Sequence, residues 1–333
     1  MLQLWDCKPT PIAMTNVAAI ALLLTSYFGF TSTGKATEVR HPQTPHETGD
    51  GFVPTGKGWG ERDRAGTHGN TFSRGTYNGI SYHKGPLIIN DPINVYYIWY
   101  GNWSGNTATT ILPNFVGPNG TGIGGSPYFN INTSYYNTSG LHVLNFVTLA
   151  GQTSDNYSQG YNSQGSSLSD SQVQAVVSTA INSGKLPSDT NGVYFVLTSA
   201  DVNETSGFCT TYCGWHTHGA VNGADIKYAF IGNSDRCPSA CEAQTISSPN
   251  NNTGADGMTN IIAHELSEAA TDPDLNAWYD SFGNENGDKC AWKFGTEYSA
   301  PNGSKYNVTF GSFKYLIQMI WVNAGGGYCS IKY

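Results

Sequence analysis

The apolar positions of this chain cluster in short runs that predict the strands of a mixed β-sheet. Residues 94–100 form an unbroken aromatic and β-branched run, which is typical of a buried strand, and residues 192–198 and 227–232 have the same character. Residues 141–150 are a further strand candidate. The stretch 117–139 is rich in Gly, Asn and Ser and therefore predicts a loop.

Two other segments repeat their apolar residues at helical spacing. In residues 169–182, valines and an isoleucine form one stripe behind Ser169 or Asp170 as the N-cap, and Gly184 ends the segment. The second segment, residues 256–271, follows the predicted strands. This order predicts an α/β (α+β) fold in which helices pack on a mixed sheet.

The N-terminal region differs from the rest of the chain. Residues 17–30 are apolar but short for a membrane span, so we interpret residues 1–36 as a signal peptide, with a retained membrane anchor as the alternative. Residues 37–80 are polar and have no sustained period, which indicates a polar arm or propeptide-like segment. We expect the folded domain to cover residues 81–333.

Composition and charge limit the partners of this protein. The chain has 333 residues, a formal net charge of −8 and no basic stripe, which argues against nucleic acid as a partner. Beyond the signal peptide, no segment is apolar enough to predict a membrane span. The 8 tryptophans and 20 tyrosines can line a groove for an extracellular peptide or a cell-wall glycan. The alternative is that these residues belong to the core and keep their polar tips near the surface.

The cysteines indicate an exported protein. One of the 7 cysteines lies in the predicted signal peptide, which leaves an even number for disulfides. We expect the first four of the remainder to pair among themselves and the last two to pair with each other. A zinc knuckle is the alternative for the two Cys-x-x-x-Cys pairs, but an oxidising compartment favours disulfides. In chain order these residues are Cys209, Cys213, Cys237, Cys241, Cys290 and Cys329.

Asn-x-Ser/Thr sequons are frequent. In a secretory pathway that glycosylates asparagine they would make this chain a glycoprotein, although a chain rich in Asn, Ser and Thr also forms sequons by chance. The sequon asparagines are Asn102, Asn119, Asn132, Asn137, Asn156, Asn203, Asn251, Asn302 and Asn307.

The motif that bears most directly on function is His264-Glu-Leu-Ser-Glu268 in the second predicted helix. It is nearly the H-E-x-x-H pattern of zinc proteases, with Glu268 in the place of the second histidine. Residues four apart share one face of a helix, so His264 and Glu268 can bind one metal ion while Glu265 acts as general base. Imidazole and carboxylate ligands predict zinc, with manganese or calcium as the alternatives. Asp256 is the expected N-cap, and Pro273 should end the helix.

The motif leaves the third ligand open. Asp274 stands where H-E-x-x-H-x-x-G-x-x-H/D enzymes place theirs, but Thr271 replaces the glycine that permits a tight turn there. In an extended segment, His216 and His218 would point to the same side, as metal-binding pairs do; otherwise they are surface histidines of a loop. The rival third ligands are Asp272, Asp274, Glu285, Asp288, His216 and His218.

Two alternatives to a catalytic metal centre remain. In the first, the helix is an exposed acidic helix that contains one histidine by chance. Residues 280–288 alternate oxygen ligands with glycine as calcium-binding turns do, but they lack the full spacing of that motif, so an Asx-rich turn is the preferred interpretation.

Several motifs, in a fixed order, resemble the EXORDIUM / phosphate-induced protein 1 family. The resemblance spans residues 80–333 and implies a protein that is secreted to the cell wall or apoplast, in a family without a firmly assigned activity. The motifs are Gly85-Pro86-Leu87, the run 94–103, residues 196–202, Gly207-Phe-Cys209-x-x-x-Cys213, Thr217-His218-Gly219, residues 228–233 and Cys237-Pro-x-x-Cys241.

The resemblance includes the motif helix. Family members carry a similar step at residues 263–268 and the spacing Glu285-x-x-Asp288-x-Cys290, with nothing acidic at the place of Asp274. This favours Glu285 and Asp288 as further ligands. Two functions follow as hypotheses. One is a secreted, zincin-like, zinc-dependent peptide hydrolase. The other is a non-enzymatic extracellular protein that binds glycan or peptide.

Overall fold

The structure is a computed structural model that describes residues 47–48, 51–57, 79–90, 92–162 and 165–333. The chain divides into residues 1–35 and 36–333, and all described residues belong to the second unit. The predicted signal peptide therefore lies outside the described residues, as does most of the polar arm. The helices are α1 (Ala108–Val116), α2 (Asp170–Asn182), α3 (Pro238–Cys241) and α4 (Thr253–Thr271), and short 3₁₀ turns cover Pro118–Gly120, Phe129–Ser134, Ser234–Arg236 and Asp288–Cys290.

The strands fall into one large sheet and several small ones. The first nine are β1 (Glu47–Thr48), β2 (Gly51–Phe52), β3 (Ser81–Tyr82), β4 (Ile93–Tyr100), β5 (Val147–Asp155), β6 (Tyr161–Asn162), β7 (Gly165–Leu168), β8 (Gly192–Thr198) and β9 (Val202–Glu204). The others are β10 (Gly214–Val221), β11 (Ala224–Ile231), β12 (Trp278–Tyr279), β13 (Tyr298–Ser299), β14 (Lys305–Tyr306), β15 (Val308–Phe310), β16 (Phe313–Tyr315), β17 (Ile320–Val322) and β18 (Tyr328–Ser330).

The large sheet has the strand order β10-β11-β8-β4-β5. Its inner strands β11, β8, β4 and the edge strand β5 run parallel, whereas β10 pairs with β11 in the antiparallel sense and forms the other edge. Strand β8 is buried along its whole length, as expected for a strand with both faces covered. The sheet is mixed, which confirms the predicted fold class.

Helices cover both faces of the sheet. Helix α4 packs against β10, β11 and α1, and it covers the face that carries the His216 side chain. Helix α2 begins near the opposite face, where Lys57 links Asp170 to the Trp215 ring. Neighbouring residues of a strand point to opposite faces, so His216 and Trp215 mark the two sides of the edge strand.

The predicted elements match the structure unevenly. Helix α2 begins one residue after Ser169, which confirms Ser169, one of the two predicted candidates, as its N-cap. The Ser169 side chain also forms a capping box with Gln172, which was not predicted. The strand predicted at residues 141–150 was misplaced, because β5 begins only at Val147. Helix α4 begins three residues before the predicted cap, and Asn252 rather than Asp256 is its N-cap. Asp256 instead accepts hydrogen bonds from Asn250.

Three disulfides join the six cysteines of the folded region and confirm the predicted grouping. Cys209 pairs with Cys237 and Cys213 with Cys241. These crosslinks tie the segment that leads into β10 to helix α3. The third bridge joins Cys290 to Cys329. The four Cys-x-x-x-Cys residues are therefore not a zinc knuckle.

Burial decides two of the questions that the composition raised. All six tryptophans in the described part of the chain are buried or half-buried, which favours their role as core residues. Two sequon asparagines are buried: Asn132 contacts Ser267, and Asn307 donates to backbone carbonyls, so neither can carry a glycan in this fold. Among the described residues, no helix is both long and apolar enough to span a membrane.

Candidate metal centre

Helix α4 places the sequence motif in the interior of the protein. The Asn252 side chain accepts a hydrogen bond from Ala255 N and begins the helix, and Asp272 follows its last turn ahead of Pro273. From Gly254 to Thr271 every residue of the helix is buried. The helix is thus enclosed on all sides, and the interpretation as an exposed acidic helix is wrong.

The first group of donor atoms joins α4 to the 3₁₀ turn at Asp288. His264 Nε2 lies 2.9 Å from Glu268 Oε1 and 3.6 Å from Asp288 Oδ1. The backbone N–H of Asp288 donates to Glu268 Oε1 at 3.0 Å, which fixes the turn against the helix. Tetrahedral zinc ligands that lie 2.0–2.2 Å from the ion are about 3.3–3.6 Å from one another, so these spacings are close to those of a coordination shell.

Two neighbours hold this group in place. A Cβ atom at Gly287 would lie 2.8 Å from Glu268 Oε1 and 2.9 Å from His264 Nδ1, so the close approach of the turn requires glycine. The side-chain amide of Gln318 contacts His264 Nδ1, and the Gln318 oxygen accepts from Trp292 N at 2.9 Å. Gln318 therefore orients the imidazole with Nε2 toward the carboxylates.

The second group of donor atoms contains His216 of β10 and shares Glu268 with the first. His216 Nδ1 lies 3.2 Å from Glu265 Oε2 and 3.6 Å from Glu268 Oε2. On its other side, His216 Nε2 lies 3.3 Å from the carbonyl oxygen of Asp272 and 3.5 Å from Glu285 Oε1. A ring N–H donated to a backbone carbonyl is the usual outer contact of a metal-binding histidine. The two oxygens of Glu268 thus face two different groups.

The pKa values of these residues are shifted because several ionisable groups are buried close together. Burial opposes protonation of His216, but Glu265 and Glu268 outweigh it and raise its pKa to about 10. Burial also favours the neutral form of Glu268, yet His264 and His216 lower its pKa to about 2. Burial raises the pKa of Glu265 to about 7, and burial with the charges of Glu268 and Asp272 raises that of Glu285 well above its usual range.

Several buried polar atoms of the two groups have no hydrogen-bond partner. Burying such atoms unpaired costs several kcal/mol each, unless a cation binds them. No lysine or arginine among the described residues forms an ion pair with the five carboxylates closest to the histidines, Glu265, Glu268, Asp272, Glu285 and Asp288. A divalent cation fits this set of donors. The atoms without a hydrogen bond are His264 Nε2, Glu265 Oε1, Glu268 Oε2, Asp272 Oδ2, Glu285 Oε1 and Asp288 Oδ1. Except for Glu265 Oε1 and Asp272 Oδ2, they have charged contacts within the cluster at 2.9–3.6 Å.

The remaining candidate ligands lie apart from this cluster or have other partners. His218 contacts Asp225 at 2.8 Å and Asp274 at 3.6 Å, but Lys227 also contacts both carboxylates and already supplies a positive charge. Asp272 uses Oδ1 to accept from two backbone N–H groups beyond the helix. The 280–288 segment is an Asx-rich turn, because Asp280 accepts from the backbone within it and pairs with Lys289.

The cluster is closed to solvent. His264, Glu265 and Glu268 have no exposed surface, and His216 and Glu285 have 1%. An open groove of about 670 Å³ lies elsewhere, at the N-terminal end of α4, and no donor atom of the cluster lines it.

The sequence predicted His264, Glu265, Glu268, Glu285 and Asp288 together, and the structure brings all five side chains into one cluster. It places Glu285 beside His216 rather than beside His264. The positioning roles of Gly287 and Gln318 were missed. Gln318 lies 54 residues from His264 and belongs to no motif.

Comparison with known proteins shows the family of this chain. The conserved region of the phosphate-induced protein 1 family matches residues 80–331. The chain belongs to this family. It is 31% identical over 277 residues to Protein EXORDIUM-like 5 of Arabidopsis thaliana, which covers 73% of this chain and 75% of the relative. Protein EXORDIUM-like 3 of the same plant is 32% identical over 278 residues, covering 73% and 80%. Protein PHOSPHATE-INDUCED 1 of Nicotiana tabacum is 28% identical over 226 residues, covering 60% and 67%. No solved structure gives a significant match.

The phosphate-induced protein 1 region contains both donor groups in full. It does not include residues 53–57, which nevertheless pack against β10 beside His216. The candidate centre therefore lies within the matched region, and the arm that contacts it lies before that region.

Proposed function

We propose that this member of the phosphate-induced protein 1 family is exported and binds a divalent metal ion, zinc by its ligand chemistry, at the cluster on α4. The carrying observation is the convergence of His264 Nε2, Glu268 Oε1 and Asp288 Oδ1 in a buried site where polar atoms lack partners. An imidazole ligand favours zinc over calcium, which prefers an all-oxygen shell. The same set of residues supports a metal-dependent peptide hydrolase.

Each residue has a distinct role in this proposal. His264, Glu268 and Asp288 hold the ion. The Gln318 side chain contacts Nδ1 and holds the imidazole so that Nε2 faces Glu268 and Asp288. A bound zinc ion acts as a Lewis acid and lowers the pKa of a coordinated water to near 7.

Glu265 is the proton acceptor. Its pKa of about 7, raised by burial against the opposing effect of His216, suits a group that takes and returns a proton near neutral pH. The imidazole of His216 lies 3.2 Å from Glu265 Oε2 and holds the carboxylate in place, while Glu265 Oε1 has no hydrogen-bond partner. That oxygen is available for the transferred proton.

The closed state of the cluster favours a second candidate function. Structural metal sites are closed, whereas catalytic sites keep one position open. If the cluster stays closed, the ion stabilises a non-enzymatic extracellular protein that binds peptide or glycan at another surface.

Hydrolysis of a quenched fluorescent peptide library separates the two functions. The protein is compared with Glu265→Gln, which keeps the shape of the side chain but cannot accept a proton, and the metal content of both is measured. If the protein is a hydrolase, we expect zinc in both proteins and an activity that is about 10²–10⁴-fold lower in Glu265→Gln than in the unaltered protein. Equal activity of both proteins, or activity that survives a chelator, contradicts it. A metal-loaded protein without hydrolysis supports the structural function.

A further inference from the structure

The N-terminal arm, residues 53–57, contacts the outer edge of the large sheet through Gly56. The His216 backbone N–H donates to the carbonyl oxygen of Gly56 at 3.0 Å, a bond that only an edge strand leaves available. Gly56 has φ +67°, and a Cβ atom there would lie 2.0 Å from the carbonyl oxygen of His216. Only glycine therefore allows the arm to approach β10 this closely.

The next residue fills a pocket for a basic side chain. Lys57 is only 7% exposed, and its Nζ donates to Asp170 Oδ2 and to Ser206 Oγ, each at 2.7 Å. The ammonium also lies over the rings of Tyr212 and Trp215, 5.3 and 5.6 Å from their centroids. A second carboxylate closes the pocket, since Ser206 Oγ donates to Asp170 and lies within hydrogen-bond distance of the buried Glu204. The Lys57 pocket thus consists of Asp170, Glu204, Ser206, Tyr212 and Trp215.

The arm passes directly beside the candidate metal centre. Its residue Gly56 bonds to the backbone of His216, whose side chain contacts Glu265. At the other end, the Val53 carbonyl oxygen lies 2.8 Å from the position of a Cβ on Gly283, two residues before Glu285. Extended peptides commonly bind enzymes and adaptor domains by pairing with a sheet edge, where pockets for single side chains give specificity.

We propose that residues 53–57 occupy the peptide-binding site of this protein, a site on the β10 edge that takes a peptide with glycine followed by Lys or Arg. The glycine lies where Gly56 lies, and the basic side chain enters the Lys57 pocket. The arm is then an internal competitor that must leave before another peptide binds. The proposed peptide-binding site depends only on these contacts and not on the metal centre. Its role as a substrate site beside the metal rests on the function proposed above.

The test measures binding of a dye-labelled peptide with the sequence of residues 51–57 by fluorescence anisotropy, without added metal. Two full-chain variants release the arm in different ways: Lys57→Ala removes its anchor, and Gly56→Ala forces it away from His216. We expect each variant to bind the peptide at least about tenfold more tightly than the unaltered protein, whose own arm competes. A peptide with Ala in place of Lys should lose about tenfold or more, as should Asp170→Asn in the Lys57→Ala background.

Three results would overturn the proposal. They are equal binding of the peptide to the unaltered protein and to both variants, binding that ignores the Lys-to-Ala change in the peptide, and failure of both variants to fold. The last result would make the arm an integral part of the fold rather than an occupant. Because the assay needs no metal, a failure here is separate from a failure of the metal centre.

Discussion

Glu268 is the residue on which the metal centre depends most, because its two oxygens face the two donor groups. An ion present at about 100 times its dissociation constant stabilises the folded state by about 2.7 kcal/mol. In a domain of this size, about 1 kcal/mol corresponds to about 2 °C, so zinc should raise the melting temperature of the metal-free protein by about 5 °C. Glu268→Gln should abolish this shift.

The same substitution also affects the metal-free protein. His264 and His216 lower the pKa of the buried Glu268 from 4.5 to about 2, which corresponds to about 3 kcal/mol of stability above pH 5. The loss on substitution is smaller than this, because the neighbouring Glu285 and Asp288 are relieved of a repulsive charge. We expect a fall of a few degrees in melting temperature.

Differential scanning calorimetry with and without zinc measures both effects. The matched control is Asp256→Asn, which removes another buried acid of the same helix, 12 residues or about 18 Å before Glu268. This control should be less stable but should keep the full zinc shift. A Glu268→Gln protein that retains the shift would refute the assigned ligands, and so would loss of the shift in the control.

Stability against pH, zinc affinity and the third disulfide each give a further test. Metal-free protein should lose stability as the pH rises from 5 to 8, because burial raises the pKa values of Glu265 and Asp272 to about 7. The stabilising effect of these two groups is complete below pH 4 and disappears as the pH passes 7; denaturant midpoints measured without metal at several pH values test it, and a rise in stability over this range would contradict it. Gly287→Ala should weaken zinc binding by at least about tenfold, because the added methyl group displaces Glu268 and His264. Calorimetric titration measures the affinity for zinc, and an unchanged affinity would contradict the position of the 3₁₀ turn. Replacing both Cys290 and Cys329 by serine opens a loop with a sequence separation of 39 and should lower the free energy of unfolding by about 4 kcal/mol. Denaturant unfolding measures this loss, and a loss near zero would mean that the bridge does not constrain the turn at Asp288.

The sequence predicted those parts of the fold whose signals are local. The run at β4, the apolar strand β8 and the Ser169 cap of α2 each have their own local pattern, and the structure confirms them. Strand β5 was misplaced because its exposed and buried residues alternate and it has few strongly apolar residues. The cap of α4 was misassigned because several Asn and Asp residues precede the helix, and each is a good N-cap.

The donors on the helix were predictable from spacing, and the others only as alternatives or through the family resemblance. Spacing alone places His264 and Glu268 on one face, and the family resemblance pointed to Glu285 and Asp288. His216, one of the predicted alternative ligands, lies 48 residues before His264 and reaches the site because β10 packs against α4, a long-range contact that spacing along the chain does not predict. The packing of Lys57 between Asp170 and Trp215 is of the same kind. Such contacts depend on the whole topology and therefore appear only in the folded chain.

One cation should bind between His264 and Glu268. Crystals grown with zinc, with diffraction data collected on both sides of the zinc absorption edge, test it most directly. We predict an anomalous peak about 2.0–2.2 Å from His264 Nε2, a Glu268 oxygen and an Asp288 oxygen. An anomalous map without a peak at this position, or with zinc bound only at the half-exposed His218, would contradict the account.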